Sequence, residues 1–439
     1  MGFEINISEK NCVCGKTHIF GSDVIIGKGV IKQLPEILRK FSAKKVHIIA
    51  DKNTYEAAGR CVCDVLKQND ISFSQYIFKS EHLEPDECSV GLAAMNFDES
   101  CDVVIGVGSG VINDIGKIIA NVSGKPYIIV GTAPSMDGYA SASSSMSMDG
   151  VKVSLKSKCA DVIIGDIDIL KDAPSRMLIS GIGDMLAKYI SICEWRISNI
   201  ITGEYYCEAI ASLIRDALKK CVENADGLLN RDEKAVEAVF SGLVLGGIAM
   251  NYAGISRPAS GVEHYFSHIW DMRGLEFGTK VDFHGIQCAV GTMYAAKIYD
   301  RIQNYVPDRE KALKFAQSFD YEAYKQVLKD FLGKGADTMI QLEEKEQKYN
   351  AEKHQKRLQV IIDNWDRIIK IINEEIPALA ELEQLYESIG MPKTAKEIGI
   401  DESIVPKTFE LTKDIRDKYV LSRLCWDLGI IYDVKEEML

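Results

Sequence analysis

Within its first 170 or so residues the chain alternates short β-branched runs with stretches of helical spacing, and beyond residue 173 the short runs stop. Few architectures accommodate both habits in one chain. Val46-His-Ile-Ile-Ala50 reads as a buried strand because its apolar run is unbroken, and it ends at Asp51. Residues 71–78, 103–105 and 127–130 read as three more strands, with helical spacing at 55–68 and 111–122 between them. Strands alternating with helices imply a parallel sheet covered on both faces. Residues 151–155 and 162–164 look like further strands closing this domain. From about Ala173 apolar residues recur at three and four, the helical period. The expectation is an α/β, Rossmann-like domain over 1–172 and an all-helical domain over 173–439, with Pro174 marking the break.

One helical stretch differs in composition. The polar run 341–357 precedes an apolar stripe at Leu358, Ile361, Ile362, Trp365, Ile369 and Ile372. It reads as a solvated helix face leading into a packed helix rather than as a partner-binding arm. The wider segment 333–375 is treated as a polar helical insertion.

At 439 residues the chain exceeds what one compact core holds. A net charge of -12 excludes nonspecific nucleic-acid binding, which needs a basic face. It leaves room for a small anionic substrate, because a few local cations suffice. The opening residues carry charges and lack the roughly 7–15-residue apolar core of a signal peptide. Met1-Gly2 begins an acylation pattern that fails at position 6, where Asn6 replaces the required Ser or Thr. No apolar run approaches the roughly 20 residues of a membrane span. Twelve cysteines occur singly or as C-x-C pairs, Cys12/Cys14 and Cys61/Cys63. Without a secretion signal they read as reduced thiols of a cytoplasmic protein. Cys12, Cys14 and His18 offer only three zinc ligands at an awkward spacing, so an incidental or structural role is the preferred reading.

After the strand at 103–105 comes Gly106-Val-Gly-Ser-Gly110. Glycines at a strand-to-helix turn let backbone N–H groups approach a pyrophosphate at a helix N-terminus. The spacing is neither G-x-G-x-x-G nor a Walker loop, and a plain tight turn explains it equally well. Asp51, at the end of its strand, could accept hydrogen bonds from an adenosine ribose or could cap a helix starting near Thr54. The connection after residue 130, Gly131-Thr-Ala-Pro-Ser-Met-Asp137 and on to Ser145, is long and rich in small residues and hydroxyls. Such connections carry ligands in α/β sheets.

Three of the seven histidines, His264, His268 and His284, fall close together. His264 and His268 are spaced i, i+4, which places both on one helix face. His284, beside Gly285 at a helix start, could close a metal site with them.

Together, GVGSGVINDIGK at 106–117, GTAPSMDGYAS at 131–141, SGIGDMLAKY at 180–189, SRPASGVEHYFSHIW at 256–270 and FHG at 283–285 resemble a known superfamily. It is that of the iron-containing alcohol dehydrogenases and dehydroquinate synthase-like enzymes, and within it the bacterial sn-glycerol-1-phosphate dehydrogenase group. IRDKYVLSRLCWDLGII at 415–431 resembles it too. The resemblance implies metal ligation by Asp184, His264 and His284, so that His268 turns to substrate with Asp137. Asp184 would touch substrate as well, through the metal. It implies NAD(H) or NADP(H) contacts at Asp51, Gly108, Ser109, Gly110, Val111, Ile112, Thr132, Ala133, Pro134, Ser135 and Ser141. Val262 departs from the family's usual Ser.

The implied reaction is hydride transfer at C2, interconverting dihydroxyacetone phosphate and sn-glycerol 1-phosphate, with one divalent metal (Zn, Ni or Fe) as Lewis acid. Asp137 or His268 would relay the proton. Dehydrogenation of glycerol or another polyol is the alternative, and a homo-oligomer, dimer or larger, is expected. For the phosphate, Lys188 at i, i+4 from Asp184 and Arg257 are candidates, although each could equally be a structural ion pair.

Overall fold

The computed structural model describes residues 12–80, 82–149, 151–436 and 438. The expectations about a leader and acylation concern the extreme amino terminus, outside these residues. By packing the chain forms two compact units, Met1–Met185 with Ser212–Ile255, and Leu186–Ala211 with Ser256–Leu439. The helix Ser175–Leu186 and the helix Glu233–Ala253 therefore pack largely with the sheet, although both lie beyond residue 173.

Among its described residues the first unit holds eight strands: β1 Asp23–Gly27, β2 Lys45–Asp51, β3 Ser72–Phe78, β4 Val103–Gly108, β5 Tyr127–Gly131, β6 Ser143–Met148, β7 Val151–Lys156 and β8 Val162–Asp166. Six form one sheet in the order β1-β8-β5-β4-β2-β3, and every neighbouring pair is parallel. Strands β4, β5 and β8 are buried along their whole length, which is why their sequences are apolar or glycine runs, broken only by Asp166 at the end of β8. Among the described residues no strand follows β8, as the loss of short runs after residue 173 implies.

Two strand expectations need correction. The 151–155 run does not close the sheet; it is β7, paired antiparallel with β6 in a separate hairpin. Its alternation of Val and Leu with Lys and Ser suits a half-covered ribbon, whereas a central parallel strand needs apolar residues on both faces. Strand β6 lies in residues read as a serine-rich connection, and edge strand β1, with its Val24-Ile-Ile26 run, adds a strand beyond those expected.

The strand order places the ligand crevice. From β2 the chain steps outward to β3 on one side, and from β4 it steps outward to β5 on the other, so the connections after β2 and β4 diverge. Ligands of open α/β sheets bind at the carboxyl ends of the strands flanking such a divergence. Asp51 ends β2 and Gly108 ends the adjoining β4, so both lie there.

The helix Glu233–Ala253 amends the expectation of no span-length apolar run. It is long and apolar enough to cross a membrane by length and composition, but 78% of its apolar window is buried inside the protein. Its apolarity is that of a core helix.

The second unit is helical throughout its described residues. The 333–375 segment forms the helices Gly335–Glu346, Ala351–Asp363 and Trp365–Glu375. The apolar stripe is buried at Leu358, Ile361 and Ile372, with Ile368 and Ile371 completing it in place of Trp365 and Ile369. The polar run is less solvated than its composition indicates. Arg357 grips both carboxylate oxygens of Asp427 at 2.9 and 2.8 Å, and buried His354 bonds the Asp427 carbonyl. The Tyr349 hydroxyl donates to Asp414 at 2.6 Å. Polar side chains with partners on the carboxyl-terminal segment can be buried, which a pattern of polarity alone does not reveal.

Candidate active site

In the first unit the helix Gly110–Ser123 starts directly after β4. Its N-cap, Ser109, makes no side-chain capping bond, and its first turn carries no acid. The amides of that turn and the positive end of the helix dipole are suited to an anion. The glycines divide their work differently from the simple turn reading. An added Cβ on Gly106 would overlap the Tyr127 hydroxyl, and on Gly108 it would meet Ile112 Cβ at 2.5 Å. Those two glycines allow packing. At Gly110 an added Cβ would meet Met136 Cγ at an ordinary 3.4 Å, so packing does not demand a glycine there.

Asp51 caps the helix beginning at Lys52, slightly earlier than its sequence indicates. Its carboxylate accepts from Thr54 N–H at 2.9 Å, while its own N–H donates to Thr54 Oγ1 at 3.0 Å. This reciprocal box fixes the carboxylate at the strand end.

The 131–141 connection is built in, not solvated. Thr132, Ala133, Ser135, Asp137 and Ser141 are all buried. Thr132 N–H donates to the Gly108 carbonyl at 3.1 Å, Tyr139 hydroxyl to the Ala133 carbonyl at 2.7 Å, and Asn113 Nδ2 to the Gly138 carbonyl at 3.0 Å. From the helix Ser175–Leu186, Ser180 Oγ donates to the Ser135 carbonyl at 2.8 Å. One turn later the Asp184 carboxylate accepts Asp137 N–H at 2.9 Å. Between these two, an added Cβ on Gly181 would overlap the Pro134 carbonyl oxygen and lie 2.8 Å from its carbon. Buried Lys117, at the end of the glycine-rich run, donates to the Ser143 carbonyl at 2.5 Å and pairs with Asp114.

In the second unit the helices Val262–Phe277 and His284–Ile302 cross closely, because Gly291 would put a Cβ 2.7 Å from the Glu263 carbonyl oxygen. That approach brings the imidazoles together. The His264 and His284 rings lie 5.0 Å apart between centroids, and His268 lies 6.1 Å from His284. Each of the first two has its Nδ1 anchored, His264 by Glu263 Oε1 at 2.8 Å and His284 by Ser267 Oγ at 2.9 Å. Anchoring Nδ1 orients the ring and leaves Nε2 as the atom suited to coordinate a metal. Cys288, one turn after His284, has its Sγ 3.6 Å from His284 Nε2. Burial raises its thiol pKa, but the neighbouring His264 and His284 outweigh this and hold it below the usual value.

Glu194 organises this turn from a distance of 68 residues. Its carboxylate accepts from Val262 N–H at 3.0 Å and from Leu421 N–H at 2.7 Å. Burial first, and then the nearby Glu263 carboxylate, push it up to about 8. Neither glutamate was singled out from sequence, although Glu263, next to a candidate ligand histidine, was the kind of residue to look for.

Comparison with known proteins bears on this geometry. Residues 25–174 match the model of the family described as iron-containing alcohol dehydrogenase. A protein of Halalkalibacterium halodurans named glycerol-1-phosphate dehydrogenase (NAD(P)+) is 30% identical over 415 residues, spanning 93% of this chain and 94% of the relative. One of Pyrococcus furiosus with the same name is 34% identical over 64% of this chain and 79% of its own. The chain belongs to the glycerol-1-phosphate dehydrogenase family of iron-containing alcohol dehydrogenases. Solved structures agree on the fold: a Schizosaccharomyces pombe glycerol dehydrogenase matches with a TM-score of 0.61 at 18% identity, covering 96% of this chain and 92% of that one. An iron-containing alcohol dehydrogenase of Thermococcus thioreducens matches at 0.62 and 14% identity, covering 96% and 99%.

In this member of the glycerol-1-phosphate dehydrogenase family the two candidate phosphate cations have internal partners. Arg257 is wholly buried and pairs with Glu204 at 2.7 Å while donating to Ser198 Oγ at 3.1 Å. Lys188 is likewise buried and donates to the Ala259 carbonyl at 3.1 Å. It follows Asp184 by one turn, across Ala187, whose backbone stays right-handed helical between Ser175–Leu186 and Lys188–Thr202.

Proposed function

We propose that the chain is an NAD(P)-dependent, metal-dependent dehydrogenase interconverting dihydroxyacetone phosphate and sn-glycerol 1-phosphate at C2. The observation that carries this reading is the pair His264 and His284, each with Nδ1 anchored and ring centroids 5.0 Å apart. The names of its glycerol-1-phosphate dehydrogenase relatives support the substrate.

The donor set fits a divalent metal. Two oriented imidazoles and the fully buried Asp184 carboxylate are what an open catalytic site uses, with Zn, Ni or Fe as candidates. Asp184, His264 and His284 would hold the ion, and its contribution is Lewis acidity toward the C2 oxygen. Asp137 or His268 orients the hydroxyls and moves the proton at that oxygen. Glu263 holds the His264 ring, and Ser267 that of His284. The amides of Gly110, Val111 and Ile112 at the helix start receive the dinucleotide phosphates, with Gly108, Ser109, Thr132, Ala133, Pro134, Ser135 and Ser141 lining the approach. Asp51 takes the ribose. Residues 1–172 thus carry the dinucleotide and 173–439 most of the metal and substrate groups. No disulfide joins any of the twelve cysteines among the described residues, and a reduced cytoplasmic setting belongs to the same reading. So does assembly as a homo-oligomer.

A second reading, action on glycerol or another unphosphorylated polyol, is favoured by one observation, the internal partners of Lys188 and Arg257. NADH oxidation with dihydroxyacetone phosphate against dihydroxyacetone, across a panel of divalent metals, tests both. Faster turnover of the phosphate ester and a product of sn-1 stereochemistry support the first reading. Equal turnover or preference for the free ketone supports the second.

Asp51→Ser should keep the helix cap while removing the charge that disfavours a 2′-phosphate. The ratio of kcat/KM for NADH over NADPH should fall roughly tenfold, about 1.4 kcal/mol. An unchanged ratio removes Asp51 from the ribose site.

A further inference from the structure

The segment from Cys12 to β1 contains no helix or strand, and its large apolar residues Val13 and Ile19 are exposed. Apart from half-buried Phe20, apolar burial contributes little to holding it. Cys12 and His18 are buried all the same. A turn closes from Gly15 N–H to the Cys12 carbonyl at 2.8 Å, and Gly15 takes the left-handed conformation at φ 79°. That reversal returns His18 toward Cys14, with Nε2 3.3 Å from Sγ. The ligand atoms of Cys12, Cys14 and His18 all lie within 4.8 Å of one another. His18 Nδ1 is 3.3 Å from the Tyr252 carbonyl, at the carboxyl end of the helix Glu233–Ala253. Carbonyls in a helix's last turn lack intrahelical donors, so this bond satisfies one and orients Nε2 toward the sulfurs.

We propose that Cys12, Cys14 and His18 bind a structural zinc ion that fastens this segment to the end of the helix Glu233–Ala253. The edge between a sulfur and a nitrogen ligand in a tetrahedral zinc site is roughly 3.6 Å, from Zn–S near 2.3 Å and Zn–N near 2.0–2.1 Å. The Cys14–His18 separation is within a few tenths of that. The C-x-C-x3-H spacing is awkward in an extended chain, and the left-handed Gly15 is what makes it workable. Binding releases the two thiol protons, and a fourth donor, thiol or water, completes the shell. The site shares no residue with the His264 and His284 pair and does not depend on the reaction proposed above.

The test uses the reduced full-length protein, with Zn²⁺ or with chelator, and maps alkylation of all twelve cysteines by mass spectrometry. Zinc should slow modification of Cys12 and Cys14 at least tenfold, and the same map identifies any fourth thiolate. Equal modification with and without zinc overturns the proposal. In parallel, the Cys12→Ser/Cys14→Ser variant should lose about one zinc per chain relative to the wild type while keeping the metal that His264→Ala removes. An unchanged zinc content also overturns it. If the double variant does not fold, the wild-type alkylation map decides alone.

Discussion

His264→Ala is expected to lose its catalytic metal and at least about a thousandfold in kcat/KM for NADH-dependent ketone reduction. That factor corresponds to about 4 kcal/mol, the scale of charge stabilisation a Lewis-acid metal gives. The imidazole is one of two on helices held together at Gly291, and its partner carboxylate Glu263 is buried. Removing the ring therefore deletes a donor atom and takes one hydrogen-bond partner from buried Glu263, leaving Gly261 N–H on the same oxygen, which adds a folding cost. Metal content and a thermal melt on the same sample separate the two effects. A folded variant retaining full metal and activity would remove His264 from the site. Glu263→Gln gives a graded companion: it keeps an acceptor for the ring but lowers its charge, so metal affinity should drop about 10–100-fold with the fold intact.

Gly181→Ala carries the second large effect. The added methyl would collide with the Pro134 carbonyl and reach Val239 Cγ1 at 3.0 Å. Backbone cannot yield as a flexible side chain can, so either the helix Ser175–Leu186 or the 131–137 connection must shift. Overpacking of this kind costs about 1–3 kcal/mol and occasionally more. The shift would also displace Asp137 from Asp184 and Ser135 from Ser180, so KM for the dinucleotide should rise together with the loss of stability. Gly91→Ala is the matched control: it is helical, has open space around it and no left-handed strain, and alanine there should be neutral or stabilising. If Gly181→Ala melts and binds like the control, the tight approach at Pro134 does not hold the site.

The parts of this fold legible in sequence are those encoded by local period. Strands β2, β3, β4 and β5 announce themselves as apolar runs, and the disappearance of such runs after residue 173 marks the helical remainder. What escaped depends on distance along the chain. Serines conceal β6, because hydroxyls on a hairpin look like a loop. Partners at Asp414 and Asp427 make buried groups of Tyr349 and His354, which composition marks as solvated. The histidine cluster is legible in the sequence, but Glu194 and Glu263 emerge only when the helix start at Val262 is folded.

The glycine-rich run after β4 has one more implication, for how such sequences drift. An added Cβ at Gly106 in β4 or at Gly116 in the following helix would overlap the same Tyr127 hydroxyl. The phenol of Tyr127 is thus a key cut to a slot that two glycines leave open. Positions 106, 116 and 127 should covary among relatives: a smaller residue at 127 licenses alanine at either glycine, and a tyrosine forbids it. Motif searches that score those glycines as phosphate contacts would be counting the shape of a core side chain.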